Sequence, residues 1–228
     1  MESVLATIPK GLSLIEVLGF PTLSRFDLAE QLLASIDYPV SDLVIINNSG
    51  KKSWTPTKPE QVKNLWHIEV PYGLGLQGAW NLVIKSTPYA PRWLLVNDDC
   101  RFEPGALEVI DREAKPDALT FTDCAPVWSA VVLGEEVVKR VGLFDEAFYP
   151  LYYCDNDYER RADYAGINKI NIPAKVHHHN SATKYHNNEI RNEYTYHRNG
   201  NLLQEKRDTN DYSVRGWSLN RRRDHRWD

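Results

Sequence analysis

Short apolar runs, each stopped by polar or turn-forming residues, recur along the first hundred positions, with helically spaced stretches between them. Residues 3–8 form one such run, stopped by Pro9, and residues 42–46 form another, stopped by Asn47-Asn48-Ser49-Gly50. Runs of this length between turn formers read as inner strands of a parallel sheet. Between them, residues 25–36 carry Phe26, Leu28, Ala29, Leu32, Leu33 and Ile36 at positions that share one helical face. Residues 65–70 supply a third strand, 76–86 a second helix and 93–96 a fourth strand. Repeated alternation of this kind argues for a mostly parallel sheet covered by helices.

The pattern loosens further on. Residues 105–114 read as a helix, 118–122 and 129–133 as strands, and 135–141 as a short helix. Residues 151–165 form a helix that opens on aromatics and acids and stops before Gly166. From Asn187 the chain is polar, rich in Arg, Asn and Tyr, and ends near an Arg221-Arg222-Arg223 run. This tail reads as loosely structured or docked on what precedes it. The chain divides into a domain at 1–185 and an extension at 186–228.

Composition narrows the function classes. With 228 residues, 42% hydrophobic and 25% charged, the chain can bury one large core. A net charge of -4 gives no general case for nucleic acid. Three cysteines, Cys100, Cys124 and Cys154, without CxxC spacing indicate neither a disulfide framework nor a thiolate zinc site, so a cytoplasmic location fits. No apolar stretch approaches the roughly 20 residues of a membrane span, and the N-terminus has no basic region followed by an apolar one.

Chemistry concentrates where the apolar runs stop. The run at 93–96 ends in Asn97-Asp98-Asp99, whose oxygens suit a hard cation such as Mn²⁺ or Mg²⁺. A turn of solvated acids is the competing reading. In a parallel sheet the strand C-termini share one edge, so Thr7-Ile8-Pro9, Asn47-Asn48-Ser49 and Asn97-Asp98-Asp99 could line one cleft. The segment Tyr72-Gly73-Leu74-Gly75-Leu76-Gln77-Gly78 opens a helix and permits close backbone approach to an anion, although it has neither GxGxxG nor P-loop spacing. Asp157 and Arg161 are helix neighbours four apart and read as a brace. Asp155, beside Tyr152 and Tyr153, is the better general-base candidate, with a dipole-favoured N-terminal acid as the alternative. His177-His178-His179 cannot all face one ion, because adjacent strand side chains alternate.

These motifs carry a resemblance. From about Val4 to Thr183 the chain resembles family 2 type glycosyltransferases of the GT-A fold, of the rhamnosyl-, galactosyl- and glucosyltransferase-like kind. Gly142-Leu143-Phe144-Asp145-Glu146 matches their Gly-x-Phe-Asp-Glu signature, and Cys154-Asp155-Asn156-Asp157 with Arg161 resembles their Glu-Asp-x-Asp-x-x-x-Arg segment. Asn97-Asp98-Asp99 stands at their DxD motif, with Asn97 replacing the first acid, and Cys154 replaces another acid.

The resemblance implies an α/β, Rossmann-like GT-A fold with a mostly parallel central sheet flanked by helices and a polar C-terminal extension. It implies a hexosyltransferase-like, metal-dependent and inverting enzyme. The donor would be a UDP-, GDP- or dTDP-sugar and the acceptor a glycan or glycoconjugate. Thr7, Pro9, Asn47, Gly75, Asn81, Asn97 and Asp98 would bind the nucleotide sugar, Asp99 and His178 the metal, and Asp155 would be the base. His177 is the runner-up ligand. Trp80, Trp128, Tyr152 and Tyr153 are candidates to stack on sugars, against core packing. A silent sugar- or nucleotide-binding module, and RNA or surface binding through Trp217, Arg221, Arg222, Arg223 and Trp227, are the rival classes.

Overall fold

The structure, a computed structural model, describes residues 13–50, 53–179 and 192–216. Its elements run β1 (Ile15–Thr22), α1 (Phe26–Ala34), β2 (Val40–Asn47), β3 (Val62–Glu69), α2 (Gly75–Ser86), β4 (Arg92–Val96) and β5 (Cys100–Phe102). There follow α3 (Ala106–Glu113), β6 (Ala118–Asp123), β7 (Ala130–Gly134), α4 (Glu135–Val141), α5 (Cys154–Tyr164), β8 (Asn168–His178) and α6 (Asn192–Thr209). The strand expected at residues 3–8 lies outside the described residues. The place beside β2 belongs to β1, a strand that the apolar pattern did not single out because Gly19 and Pro21 interrupt it.

The strands form one sheet in the order β3-β2-β1-β4-β7-β6-β8-β5. β3, β2, β1 and β4 run parallel, as do β6 and β8, whereas β7 is antiparallel to both its neighbours and β5 is antiparallel to β8. The inner strands read as continuous apolar runs because both their faces are covered. Leu18, Leu43, Ile45 and Leu94 point to one side, with Leu32 and Leu33 of α1 and Leu107 and Ile110 of α3. Val17, Val44, Ile46, Trp93 and Leu95 point to the other, with Trp80 and Val83 of α2, Val137 of α4 and Tyr158 of α5.

A third, smaller cluster joins Phe148, Cys154 and Leu203, and so ties the start of α5 to α6. The polar C-terminal stretch is helical over 192–209 and packs here. Among the described residues no helix is long and apolar enough to cross a membrane.

Candidate functional site

The parallel half of the sheet sets up one polar edge. Thr22 at the end of β1 stands in register with Asn47, which stands in register with Glu69. β4, on the other side of β1, ends just before Asn97-Asp98-Asp99. Asn47 is buried, and its side-chain oxygen accepts from the backbone and hydroxyl of Ser49 at 3.2 and 2.7 Å. Asn48 ties this turn to the start of α2, accepting from Leu74 N at 2.6 Å and donating to Gly75 O at 3.2 Å. Among the described residues the buried Thr22 hydroxyl and Asn97 Oδ1 meet no hydrogen-bond partner. Thr7 and Pro9 lie outside the described residues, and Pro21 and Thr22 occupy the strand end expected of them.

The acidic turn meets the histidine run because of two short ladders. Directly after Asp99 the chain enters β5, where Cys100 pairs with His178, Arg101 with His177 and Phe102 with Val176. His179 N donates to Asp99 O at 2.9 Å. That register brings the His178 Nε2 to 3.0 Å from the Asp99 Oδ1, both side chains almost fully buried. His177, one position away and on the opposite face, is exposed and meets Glu103 instead. Burial alone would push the His178 imidazole down, but the hydrogen bond and charge of Asp99, aided by Cys124 and Asp98, raise it above the ordinary value. Its Nδ1 is buried and meets no hydrogen-bond partner among the described residues.

Arg25, between β1 and α1, feels the same charge. Its guanidinium is pushed up first by the hydrogen bond to Asp27 and also by Asp98 and Asp99. Nothing in the motif reading singled it out; the cue is a first basic residue after the opening strand.

Asp98 and Asp99 are buried, and the Asp99 carboxylate meets the His178 imidazole here. Among the described residues no three His, Cys, Asp or Glu side chains are placed to hold a metal by themselves. The donor set fits a hard cation that takes two protein ligands and completes its shell from phosphate and water.

The second motif region is built around buried charge. Gly142 ends α4 with φ 84°, in the left-handed region that glycine occupies without strain. Phe144 then stacks on Tyr158 with centroids 4.3 Å apart. Lys206 of α6 reaches Asp145 at 2.6 Å and Asp157 at 2.7 Å, with all three side chains fully buried. Asp157 also receives Arg161 Nε at 2.9 Å, in agreement with the expected helix brace. Asp145 accepts further from the backbone N–H groups of Ala147, Arg215 and Gly216. Sequence reasoning missed Lys206.

Asp155 sits in the first turn of α5, separated by Cys154 from Tyr152 and Tyr153, which both hold left-handed backbone at φ 74° and 65°. Such a pair of non-glycine residues persists only where its surroundings enforce it. Tyr196 of α6 packs on both rings, at 5.5 and 5.0 Å, and Asn199 donates to the carbonyls of Phe148, Tyr149 and Leu151. Burial raises the Asp155 carboxyl above the ordinary aspartate value, against the pull of the backbone N–H groups at the helix start. Trp128 connects this helix to the acidic turn: its indole lies 3.4 Å from Glu159, one turn after Asp155, and the neighbouring Ser129 O accepts from Asn97 N.

Two expected ligand residues face elsewhere. Asn81 is fully buried and donates to Phe144 O and Glu146 while accepting from Phe144 N, so its amide clamps α2 onto the Gly142–Glu146 turn and offers no surface to a ligand. Gly75, at φ 74°, is required because a Cβ would come within 2.7 Å of Pro150 O. Leu76 N, at the opening of that helix, already donates to the same carbonyl. Of the four aromatics considered for sugar stacking, Trp80 and Trp128 are core, while Tyr152 and Tyr153 are partly exposed.

No protein-family model and no curated protein sequence matches the chain. Solved structures do. A mannosyltransferase from Pyrobaculum calidifontis in complex with GDP-Man and Mn²⁺ aligns over 71% of this chain and 55% of its own, at 14% identity and a TM-score of 0.51. TarS of S. aureus aligns over 72% and 36%, at 13% identity and 0.53. GalNAc-T7 with UDP, GalNAc and Mn²⁺ aligns over 74% and 44%, at 8% identity and 0.56. These are GT-A type glycosyltransferases, and the mixed α/β sheet described above is consistent with their fold. The chain spans between 36% and 55% of the length of these structures.

Proposed function

We propose that the chain is a nucleotide-sugar-dependent glycosyltransferase, metal-using and inverting, of the family 2 type. The observation that carries this reading is the Asp99–His178 pair, 3.0 Å apart at the polar edge of a GT-A sheet. Mn²⁺ is present in two of the similar structures, with GDP-Man in one and with UDP and GalNAc in the other, which supports Mn²⁺ or Mg²⁺ here.

In this reading Asp99 and His178 hold the cation, which supplies positive charge against the leaving diphosphate. Thr22, Asn47, Asn97 and Asp98, along the same edge, bind the nucleotide sugar, and Arg25 adds positive charge beside it. Asp155 takes the proton of an acceptor hydroxyl as that oxygen bonds to the sugar C1. The C1–O bond to the diphosphate breaks on the opposite face, so the anomeric centre inverts. A carboxylate raised by burial is a stronger base than an ordinary one, at the cost of a later onset of ionisation.

The test is thermal unfolding with UDP, GDP, dTDP and CMP, each with and without Mn²⁺. One nucleotide should raise the midpoint only when Mn²⁺ is present, and Asp99→Ala should abolish that rise, measured from the variant's own unliganded midpoint. Nucleotide stabilisation that is unchanged in Asp99→Ala would remove this residue from the site. Donor binding without hydrolysis or transfer would favour the silent binding module.

A further inference from the structure

β3 closes one end of the sheet, and among the described residues no strand pairs with its outer edge. β5, at the other end, has three residues, whereas β3 has eight, without proline and in one register along β2. An edge strand presents a row of N–H and C=O groups that another strand can pair with, and proteins blunt such edges with bulges, prolines or lysines. Here the charges sit near the ends of the strand, at Lys63 and Glu69. Lys58, itself exposed, donates to the Lys63 carbonyl at 2.8 Å, and no other side chain among the described residues bonds the backbone of 63–69.

The side chains of β3 specify what fits there. Successive side chains alternate between faces. Lys63, Leu65, His67 and Glu69 therefore share the side on which Leu65 packs with α1, and Asn64, Trp66 and Ile68 share the side on which Ile68 packs with α2. Trp66, midway between Lys63 and Glu69, is 53% exposed, and its indole nitrogen donates to Asp42 at 2.8 Å. Lys63 and Glu69 are exposed, and neither belongs to an ion pair among the described residues; Glu69 accepts from Asn47 at 3.4 Å.

A second copy of this strand, laid antiparallel and centred on Trp66, sets Lys63 opposite Glu69 of that copy, and the two-fold axis repeats the pair at the other end. The two Trp66 rings meet at the centre, an aromatic cross-strand pair. Neighbouring registers lose this match. Opposite residues must lie on the same face, so the centre can sit on a residue but not between two. A centre on Leu65 puts Lys63 against His67 and carries Glu69 past the strand end, and a centre on His67 does the same to Lys63. A parallel copy would bring Lys63 beside Lys63 and Glu69 beside Glu69.

We infer that β3 pairs antiparallel with β3 of a second copy of this chain about a two-fold axis at Trp66, joining the two sheets into one. The strands run in opposite senses, so the polar C-terminal edges of the two sheets open in opposite directions. A ladder of this length is a small interface, and the dimer therefore depends on concentration.

The full chain is followed by sedimentation equilibrium up to about 0.5 mM, a range that captures weak interfaces, with amide hydrogen exchange measured at low and high concentration. A dimer should form, and exchange within 63–69 should slow as it does. Lys63→Glu and Glu69→Lys each place like charges opposite one another at both ends of the ladder, so each should weaken the dimer by roughly tenfold. The variant carrying both exchanges restores opposite charges and should recover most of the wild-type affinity, whereas Trp66→Lys should abolish association. These substitutions change exposed side chains, and circular dichroism checks that each variant is folded. A dimer indifferent to Trp66→Lys, or no recovery in the combined variant, would overturn the pairing. So would a monomer throughout the range: slow exchange at 63–69 would then mean that the chain covers its own edge, and fast exchange that the edge serves a different partner.

Discussion

His178 and Asp99 lie far apart in the chain, and the two-residue period of one strand decides which of three adjacent histidines meets the carboxylate. That period was legible in the sequence, and the family resemblance put His178 ahead of His177; the register that sets His178 against Asp99 was not legible, because it depends on β5, a three-residue strand too short to leave a pattern. The pairing has a pH consequence. With its pKa raised, His178 stabilises the fold fully below the ordinary histidine value of 6.5, and that contribution is lost as pH climbs through the raised folded value. A cation must displace the same proton, since ligation needs neutral imidazole. Titrating Mn²⁺ with UDP at pH 7 in two buffers of different ionisation enthalpy should show net proton release that is absent in His178→Ala; buffer-independent heats would mean that the imidazole is no ligand. Asp155 has the opposite sign of charge but the same direction of linkage. Its carboxyl, raised by burial above 3.8, favours the folded state below that value, and the benefit is lost as pH rises to the folded pKa. Asp155→Asn should therefore be at least as stable as wild type at pH 7 while transfer falls by roughly 10²–10⁴. Near-normal turnover in that variant would make Glu159 or another group the base.

At the scale of elements, most helices and strands followed from apolar spacing, with boundaries within a few residues: 76–86 became Gly75–Ser86, and 135–141 is unchanged. Besides β1 and β5, what escaped was α6. The residues it buries include Thr195, Asn199 and Lys206, alongside Leu203, so its inner face carries polar side chains at helical spacing and reads as a solvated tail. The same polarity makes it structurally demanding, because a buried lysine needs partners and a buried aspartate needs a cation. Asp145 and Asp157, the two motif carboxylates, are those partners. Lys206→Met would leave both carboxylates with less countercharge in a water-free site. We expect a loss of about 3–5 kcal/mol in urea unfolding, the range for removing one member of a buried ion pair. Adding Asp145→Asn should recover part of it. A loss under about 1 kcal/mol, or no recovery in the double variant, would show that the three side chains are not coupled.

For the whole molecule, the motif that carries Asp155 is assembled from both ends of the described chain. Asn81 of α2 clamps the Gly142–Glu146 turn from one side, while Asn199, Lys206 and the backbone of Arg215 and Gly216 hold it and the loop that follows from the other. A reading by motif alone assigned these asparagines and this lysine either to a ligand or to nothing, since sequence spacing cannot tell an amide that contacts substrate from one that holds the loop contacting it. A separation between a catalytic domain at 1–185 and an accessory extension at 186–228 therefore has a direct physical test. If the extension were accessory, a chain ending at residue 185 would keep a cooperative unfolding transition and Mn²⁺-dependent nucleotide binding. The buried Lys206 and the carbonyls capped by Asn199 argue otherwise: without α6, Asp145 loses its cation, and Tyr152 and Tyr153 lose the ring that packs on their left-handed backbone. The truncated chain should show a broadened or absent transition by calorimetry and exposed apolar surface by dye binding. A truncated chain that unfolds cooperatively at the full-length midpoint would make α6 an appendage and leave the orientation of Asp155 to α5 and its own loop.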